Sequence, residues 1–209
     1  MRPVDPVLLV PVKAFADAKA RLSPVLSHTD RARLARWMAE RVLAAAGELP
    51  VFIACDDQQV ASWAEDHGAT VLWHPGVGLN PAVNASITML RERGVRHVVV
   101  AHGDLPRAHS LAAVVSPGVV TLVPDRRGDG TNVVAVPTAS GFELSYGPGS
   151  FSRHLALAMQ AGMPVEVRRD PLLGLDIDTP TDLAHPLVQE VLPQWLPTNL
   201  ANPRSPLGR

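Results

Sequence analysis

Apolar residues in this chain gather in short runs separated by longer stretches of mixed character. Val7–Val12, Val51–Cys55, Thr70–Trp73, His97–Ala101, Val120–Val123 and Val133–Val136 are runs of strand length, and Val165–Arg168 alternates apolar with charged positions. An apolar run of about four to eight residues bounded by turn residues marks a strand covered on both faces. Between these runs the period changes to that of a helix. Leu34, Met38, Val42 and Ala45 recur at helical spacing, with Ser27 or Thr29 placed to cap and Gly47 to terminate. Gln58–His67 ends at Gly68, Ala82–Arg93 is entered through "GLNP" and closed by Gly94, and Phe151–Ala161 stops at Gly162. His109–Val115 reads as a short helix and Thr181–Val191 as the last one.

Strands alternating with helices predict parallel βαβ units, hence an α/β fold: a three-layer sandwich around a mostly parallel sheet. At 209 residues the chain suffices for one well-buried domain. We assign it residues 1–192. The tail from 193 to 209, "PQWLPTNLANPRSPLGR", is rich in proline and without periodicity, which predicts an extended or disordered end. A composition 46% hydrophobic and 19% charged fits a soluble globular protein. The net charge of −1 predicts no general attraction to nucleic acid or to an anionic membrane. No apolar run approaches the roughly 20 residues of a bilayer span, and the start, "MRPVDPVLLVPVK", is interrupted by proline too soon for a signal peptide. Cys55 is the only cysteine, so no intramolecular disulfide or cysteine-based zinc cluster forms. A cytoplasmic enzyme or binding protein is expected.

In sheets of this kind ligands bind beyond the carboxyl ends of the strands, which directs attention to the loops after Val12, Trp73, Ala101, Val123 and Leu175. The first, "PVKAFADAKARL", holds Lys13, Lys19 and Arg21 and no glycine. These cations suit a polyphosphate, or else form a solvated basic surface. A Walker-type phosphate loop is excluded because GxxxxGK[ST] is missing, and the lack of GxGxxG counts against a dinucleotide oxidoreductase. After His97–Ala101 comes "HGDLP", where Asp104 follows the flexible Gly103. A carboxylate there suits a Mg²⁺ ion bridging phosphates, or simply caps a turn; His102 reads as structural. In "LLGLDIDTPTDL" an extended backbone puts Asp176 and Asp178 on one face, about 6.6 Å apart. Two like charges on one face repel unless a cation lies between them. Thr179 and Pro180 then open a helix. Asp104, Asp176 and Asp178 together predict metal-assisted chemistry.

Two glycine-containing corners remain. Residues 125–132 join two strands by a charged connection, longer than the two-residue turn usual for a hairpin. In this stretch, "DRRGDGTN", Gly128, Gly130 and Thr131 are placed to offer amides and a hydroxyl to an anion. "YGPGSFSRH" repeats the chemistry, with Gly147, Gly149 and Ser150 ahead of a helix whose free amides and dipole suit a phosphate or carboxylate. Two anion sites, a basic loop and an acidic trio describe two phosphorylated substrates bridged by metal; ordinary turns are the alternative.

The ordered set "PVKAFADAKARL", "HGDLP", "DRRGDGTNVV", "YGPGSF" and "LDIDTPTDL" resembles the guanylyltransferases of deazaflavin coenzyme (coenzyme F-420) biosynthesis. That family comprises 2-phospho-L-lactate guanylyltransferase and its phosphoenolpyruvate-using relatives. The resemblance runs from about Val7 to Leu183. It implies a GT-A-like Rossmann nucleotidyltransferase architecture and a reaction of GTP with a phosphorylated three-carbon acid, yielding a GMP-linked diphosphate and pyrophosphate. By that resemblance Asp104, Asp176 and Asp178 hold Mg²⁺ and Lys19 is catalytic. Lys13, Lys19 and Arg21 lie along the GTP triphosphate, and Leu79 and Asn80 fall at the base. Thr131, Gly147 and Ser150 grip the acceptor. More distant nucleotidyltransferases carry a glycine-rich segment after the first strand, where this chain has Lys13–Arg21. A related nucleotidyltransferase or glycosyltransferase with another acceptor, or a non-catalytic nucleotide-binding module, stays as the alternative. The choice between the two acids, and the oligomeric state, stay open at this level.

Overall fold

Seven strands hydrogen-bond into one sheet in the order β3-β2-β1-β4-β6-β5-β7. They are β1 (Val7–Pro11), β2 (Val51–Cys55), β3 (Thr70–Trp73), β4 (His97–Ala101), β5 (Val120–Pro124), β6 (Thr131–Pro137) and β7 (Val165–Val167). The computed structural model describes residues 5–141 and 143–197. Only β6 opposes the others: it is antiparallel to both neighbours, β4 and β5, while the remaining pairs are parallel. The mostly parallel sheet read from the sequence is the sheet observed.

Strand β1 shows why its sequence is apolar at every position. Leu8 and Val10 enter a core with residues of α1 (His28–Ala44) and α2 (Gln58–Asp66), whereas Val7 and Leu9 enter a second core with α3 (Leu79–Glu92) and α4 (Ser150–Gln160). All four are fully buried. Successive side chains point to opposite faces, so a strand covered by helices on both sides leaves no position for a polar residue. The helices start where the caps allow: Ser27 accepts from the Asp30 amide and Asp57 from the Val60 amide.

A third, smaller core lies where the chain returns, built from Leu22, Leu34, Met38, Ile177, Leu183 and Leu196 among others. It alters the expected boundary at 192. Leu196 is buried and Arg33 stacks over the Trp195 ring at 4.0 Å, so the packed body continues past Pro193 instead of becoming an extended tail there. Residues 198–209 of that predicted tail lie outside the described residues.

Two predicted helices change form. Thr181–Val191 divides into α5 (Pro180–Leu183) and α6 (Pro186–Gln189), because Pro186 has no N–H for a continuing helix. His109–Val115 contracts to one 3-10 turn, Leu111–Val114. Among the described residues no helix is long and apolar enough to cross a membrane.

Candidate active site

The chain leaves β1 for β2 on one side of the sheet and later adds β4 on the other, which opens a crevice beyond the carboxyl ends of β1 and β4. Two adjoining cavities of 330 and 350 Å³ fill it and share Pro11, Val12, Lys13, Asp17 and Leu79. The first reaches Cys55, Asp56 and His74 at the ends of β2 and β3. The second reaches Lys19, His102, Asp104 and Asp178.

The loop after β1 folds as two 3-10 turns, Phe15–Asp17 and Ala20–Leu22. Lys19, at the entry to the second, is left-handed with φ 56°. That conformation is uncommon for a residue with a Cβ. Here it accompanies a lysine side chain turned inward to 9% exposure. Its Nζ donates to Asp104 Oδ2 at 2.6 Å and to Asp178 Oδ1 at 2.7 Å. Asp104 extends from the end of β4. Asp178 arrives on an extended segment anchored to it, since the Ile177 amide donates to the Asp104 carbonyl at 3.3 Å. That segment enters through Gly174, where a Cβ would stand 2.9 Å from the Asp170 carbonyl oxygen.

Electrostatics separate the three carboxylates. Burial pushes the Asp104 carboxyl up, but the Lys19 ammonium beside it wins and holds it below the ordinary carboxylate range. Burial likewise opposes the Lys19 charge, and the two carboxylates outweigh it, so the ammonium is held above its usual value. Among the described residues Asp176 makes no ion pair, and Lys19 offsets its charge only in part. Burial, then the charges of Asp104 and Asp178, raise its carboxyl to about 7. Among the described residues Asp104 Oδ1 is buried without a hydrogen-bond partner. Among the described residues no three His, Cys, Asp or Glu side chains are arranged to hold a metal ion; the cation between Asp104 and Asp178 is Lys19.

The other expected nucleotide contacts divide. Lys13 is exposed and lines both cavities, as does Leu79. Arg21 is exposed and lines neither. Asn80 turns its amide to the backbone of Tyr146, donating to its carbonyl at 3.1 Å and accepting from its N–H at 2.7 Å. Asn84 treats Leu144 the same way, at 3.0 and 2.9 Å. These two side chains, one helical turn apart, hold residues 144–146 as a neighbouring strand would. Of the pair expected at the base, Leu79 faces the crevice and Asn80 is engaged in this scaffold.

Thr131, Gly147 and Ser150 come together around the first turns of α4. Thr131 and Ser150 are each 2% exposed. Ser150 donates its amide to the Gly147 carbonyl at 3.0 Å, and the Thr131 hydroxyl lies 3.0 Å from His154 Nδ1. The Ser145 amide donates to His154 Nε2 at 2.8 Å, so the ring proton sits on Nδ1 and is donated to Thr131 Oγ1. Burial, then Arg153 and His102, lower the His154 pKa to about 4, which keeps the ring neutral.

The hairpin loop corrects an expectation. Gly128 and Gly130 do not hold free amides for a ligand. Asp125 accepts from the Asp129 amide at 3.0 Å and the Gly130 amide at 2.8 Å, and its carbonyl accepts from Gly128 at 3.0 Å. The nest is filled by the chain's own carboxylate. Asp129 does the same for the second corner: its carboxylate accepts from the Gly149 amide at 3.1 Å and its carbonyl from Phe151 at 3.0 Å, capping α4. Arg126 and Arg127 both reach the buried carboxylate of Asp182. Sequence reasoning passed over Asp182, although "TPTD" is a capping-box pattern that signals it; Thr179 and Asp182 form that box.

A mostly parallel sheet with a lysine–carboxylate cluster at its carboxyl edge is a Rossmann-like architecture, one that nucleotidyltransferases share. The family model described as "Guanylyl transferase CofC like" matches residues 7–189, and the chain belongs to that family. It is 33% identical over 186 residues to a phosphoenolpyruvate guanylyltransferase of Sphaerobacter thermophilus, covering 85% of this chain and 90% of that one. The protein of the same name from Conexibacter woesei is 36% identical over 187 residues, 84% of each chain. Among solved structures, one described as a nucleotide-diphospho-sugar transferase from Desulfovibrio desulfuricans G20 aligns with TM-score 0.69 at 17% identity, covering 85% of this chain and 84% of that one. A nucleotidyl transferase from Methanothermobacter thermautotroptrophicus aligns with TM-score 0.55 at 15% identity, covering 84% and 94%. At such identities these two show the fold.

Proposed function

We propose that this chain transfers GMP from GTP to the phosphate of phosphoenolpyruvate or 2-phospho-L-lactate, releasing pyrophosphate, in the cytoplasmic assembly of a deazaflavin coenzyme. The observation that carries this reading is the crevice beyond β1 and β4, where Lys13 stands at the mouth and Lys19 joins Asp104 to Asp178. The names of the Sphaerobacter and Conexibacter relatives support phosphoenolpyruvate as the acceptor.

No protein nucleophile is needed. An oxygen of the acceptor phosphate attacks the α-phosphorus in line. The bond from that phosphorus to the bridging oxygen breaks, and pyrophosphate leaves with the electron pair. Lys13 and Lys19 lie along the triphosphate and offset the charge that grows on the leaving group. Leu79 packs at the base side. Thr131, Gly147 and Ser150 hold the acceptor at the start of α4, beside the amide that Asp129 already takes.

A Mg²⁺ ion at the acidic residues is part of this proposal, although Lys19 is the cation that bridges Asp104 and Asp178 in the structure. Among the described residues Asp104 Oδ1 is a buried acceptor without a donor, and Asp176 is crowded by two like charges that Lys19 offsets only in part. A hard cation that takes carboxylate oxygens meets both conditions. Asp104, Asp176 and Asp178 would hold it, and when bound it supplies positive charge to the phosphate oxygens.

The test is pyrophosphate release from GTP with each acid in turn, and with ATP or CTP in place of GTP. Release that requires GTP and one of the two acids is expected. Release without any acceptor would make the protein a hydrolase, and no release with either acid would remove the reading.

A further inference from the structure

The hairpin loop between β5 and β6 presents two adjacent arginines beside a site for phosphorylated substrates. Their side chains are 41% and 49% exposed. The structure commits them elsewhere. Arg126 Nη2 donates to Asp182 Oδ1 at 3.1 Å, and Arg127 Nη2 donates to the same oxygen at 2.7 Å. Asp182 is 3% exposed. Its other oxygen accepts from the Thr179 hydroxyl at 2.8 Å, the Thr179 amide at 2.9 Å and the Asp178 amide at 3.2 Å. A buried carboxylate with both oxygens occupied in this way has one position available to it.

The loop that delivers the arginines is itself held. Asp125 closes it onto its own amides, and the Arg126 amide donates to the Gly174 carbonyl at 2.8 Å, where the segment bearing the acidic residues begins. One face of Asp182 is thus fixed by the hairpin loop and the other holds the backbone of Asp178. The Asp178 side chain then meets Lys19 at 2.7 Å.

We propose that Arg126 and Arg127 are positioning residues for guanylyl transfer: through Asp182 they fix the backbone of Asp178, and so the place where its carboxylate meets the cation of the site. They bind neither substrate. The proposal rests on reading Asp178 as part of the transfer site. Misplacement of a catalytic group by about 1 Å costs on the order of a hundredfold in rate. Loosening this clamp therefore lowers turnover and leaves the binding of both substrates nearly intact.

The experiment uses the full chain with Arg127→Ala, Arg127→Lys, Asp182→Asn and the Arg127→Ala/Asp182→Asn double variant. Two readouts are taken: steady-state kinetics with GTP and the acid, and backbone amide exchange at Asp178 and Thr179. Arg127→Ala and Asp182→Asn are each expected to lower kcat about tenfold or more, with KM for both substrates within about twofold. Both variants exchange the two amides about tenfold faster, Arg127→Lys recovers part of each effect, and the double variant is no worse than Asp182→Asn alone. A raised KM for either substrate with amide exchange unchanged would make Arg127 a substrate ligand and overturn the clamp. Additive losses in the double variant overturn it as well. If Asp182→Asn does not fold, the half-exposed Arg127 variants carry the comparison alone. If the wild-type chain releases no pyrophosphate, the transfer reading fails separately, and the exchange readout still decides: faster exchange in Arg127→Ala supports the clamp, and unchanged exchange removes it.

Discussion

The loop after β1 and the loop between β5 and β6 both cluster charge at the same edge of the sheet, and they put it to opposite uses. The first carries Lys13, Lys19 and Arg21 against the single Asp17. Lacking internal partners, it sends Lys19 across the crevice to carboxylates 85 and 159 positions away in sequence. The second carries two acids and two arginines with glycines between them. Asp125 closes the loop on its own amides, Asp129 caps α4, and both arginines reach Asp182. A loop with both signs of charge and the freedom to turn satisfies itself and its neighbours. A loop with an excess of one sign leaves charge facing the crevice, where a charged ligand has something to meet.

That contrast breaks most sharply at Asp104. Asp104→Asn leaves Lys19 with one charged partner and removes an oxygen suited to a metal, so pyrophosphate release should fall by about three orders of magnitude. Near-normal turnover would move the β1 loop into the structural class of its counterpart.

A second test addresses the helix that the hairpin loop caps. His154 is fully buried with its pKa lowered from 6.5 to about 4. Between those values the unfolded chain binds more protons than the folded one, so stability is complete above about pH 6.5 and declines as pH falls toward 4. The full effect amounts to about 3 kcal/mol. Because the raised Asp176 carboxyl contributes with the opposite sign over the same range, the test is a difference: between pH 7.5 and 4.5, urea unfolding of the wild type should lose about that much more stability than His154→Leu does. Equal slopes would mean that the ring is not held neutral.

Asp125→Ala sharpens the comparison from the other loop. Two amides lose a charged acceptor, which should cost about 2 kcal/mol in denaturant unfolding, with affinity for GTP and the acid unchanged. Tighter binding of the acid would show that emptying the nest creates a substrate site. The smallest effect belongs to Arg21→Ala. It should change GTP affinity, measured by calorimetry, by no more than about 0.5 kcal/mol, against a larger loss for Lys13→Ala. Equal losses would bring Arg21 into the crevice.

Much of this was legible before the fold was known, for identifiable reasons. β1 and β4 are apolar on both faces because helices cover both, and that requirement is written residue by residue. Asp104 was found because it follows the end of β4 directly. What stayed hidden were partners. Asp125 and Gly130 sit five residues apart, yet glycine and acid in one loop read equally well as an open nest or a filled one. Asp182 and Arg127 are 55 residues apart, and their segments meet because β7 pairs parallel to β5 and the Arg126 amide then bonds the Gly174 carbonyl. Leu196 lay in a proline-rich stretch without periodicity, and its burial depends on a surface that α1 and residues 175–188 build jointly.

The bond from Ser145 to His154 reaches further than holding a ring in place. With Nε2 occupied by an incoming proton, the imidazole can only give its Nδ1 proton to Thr131. One lone pair of that hydroxyl is filled by the ring, and its own proton remains to be donated elsewhere. A hydroxyl so arranged favours an oxyanion over an amine. The preference travels one way, from a backbone amide through an aromatic ring to an oxygen, and involves no charged side chain. A site built on this pattern would distinguish its ligand by the direction in which protons are offered, and its polarity holds as long as the ring stays neutral.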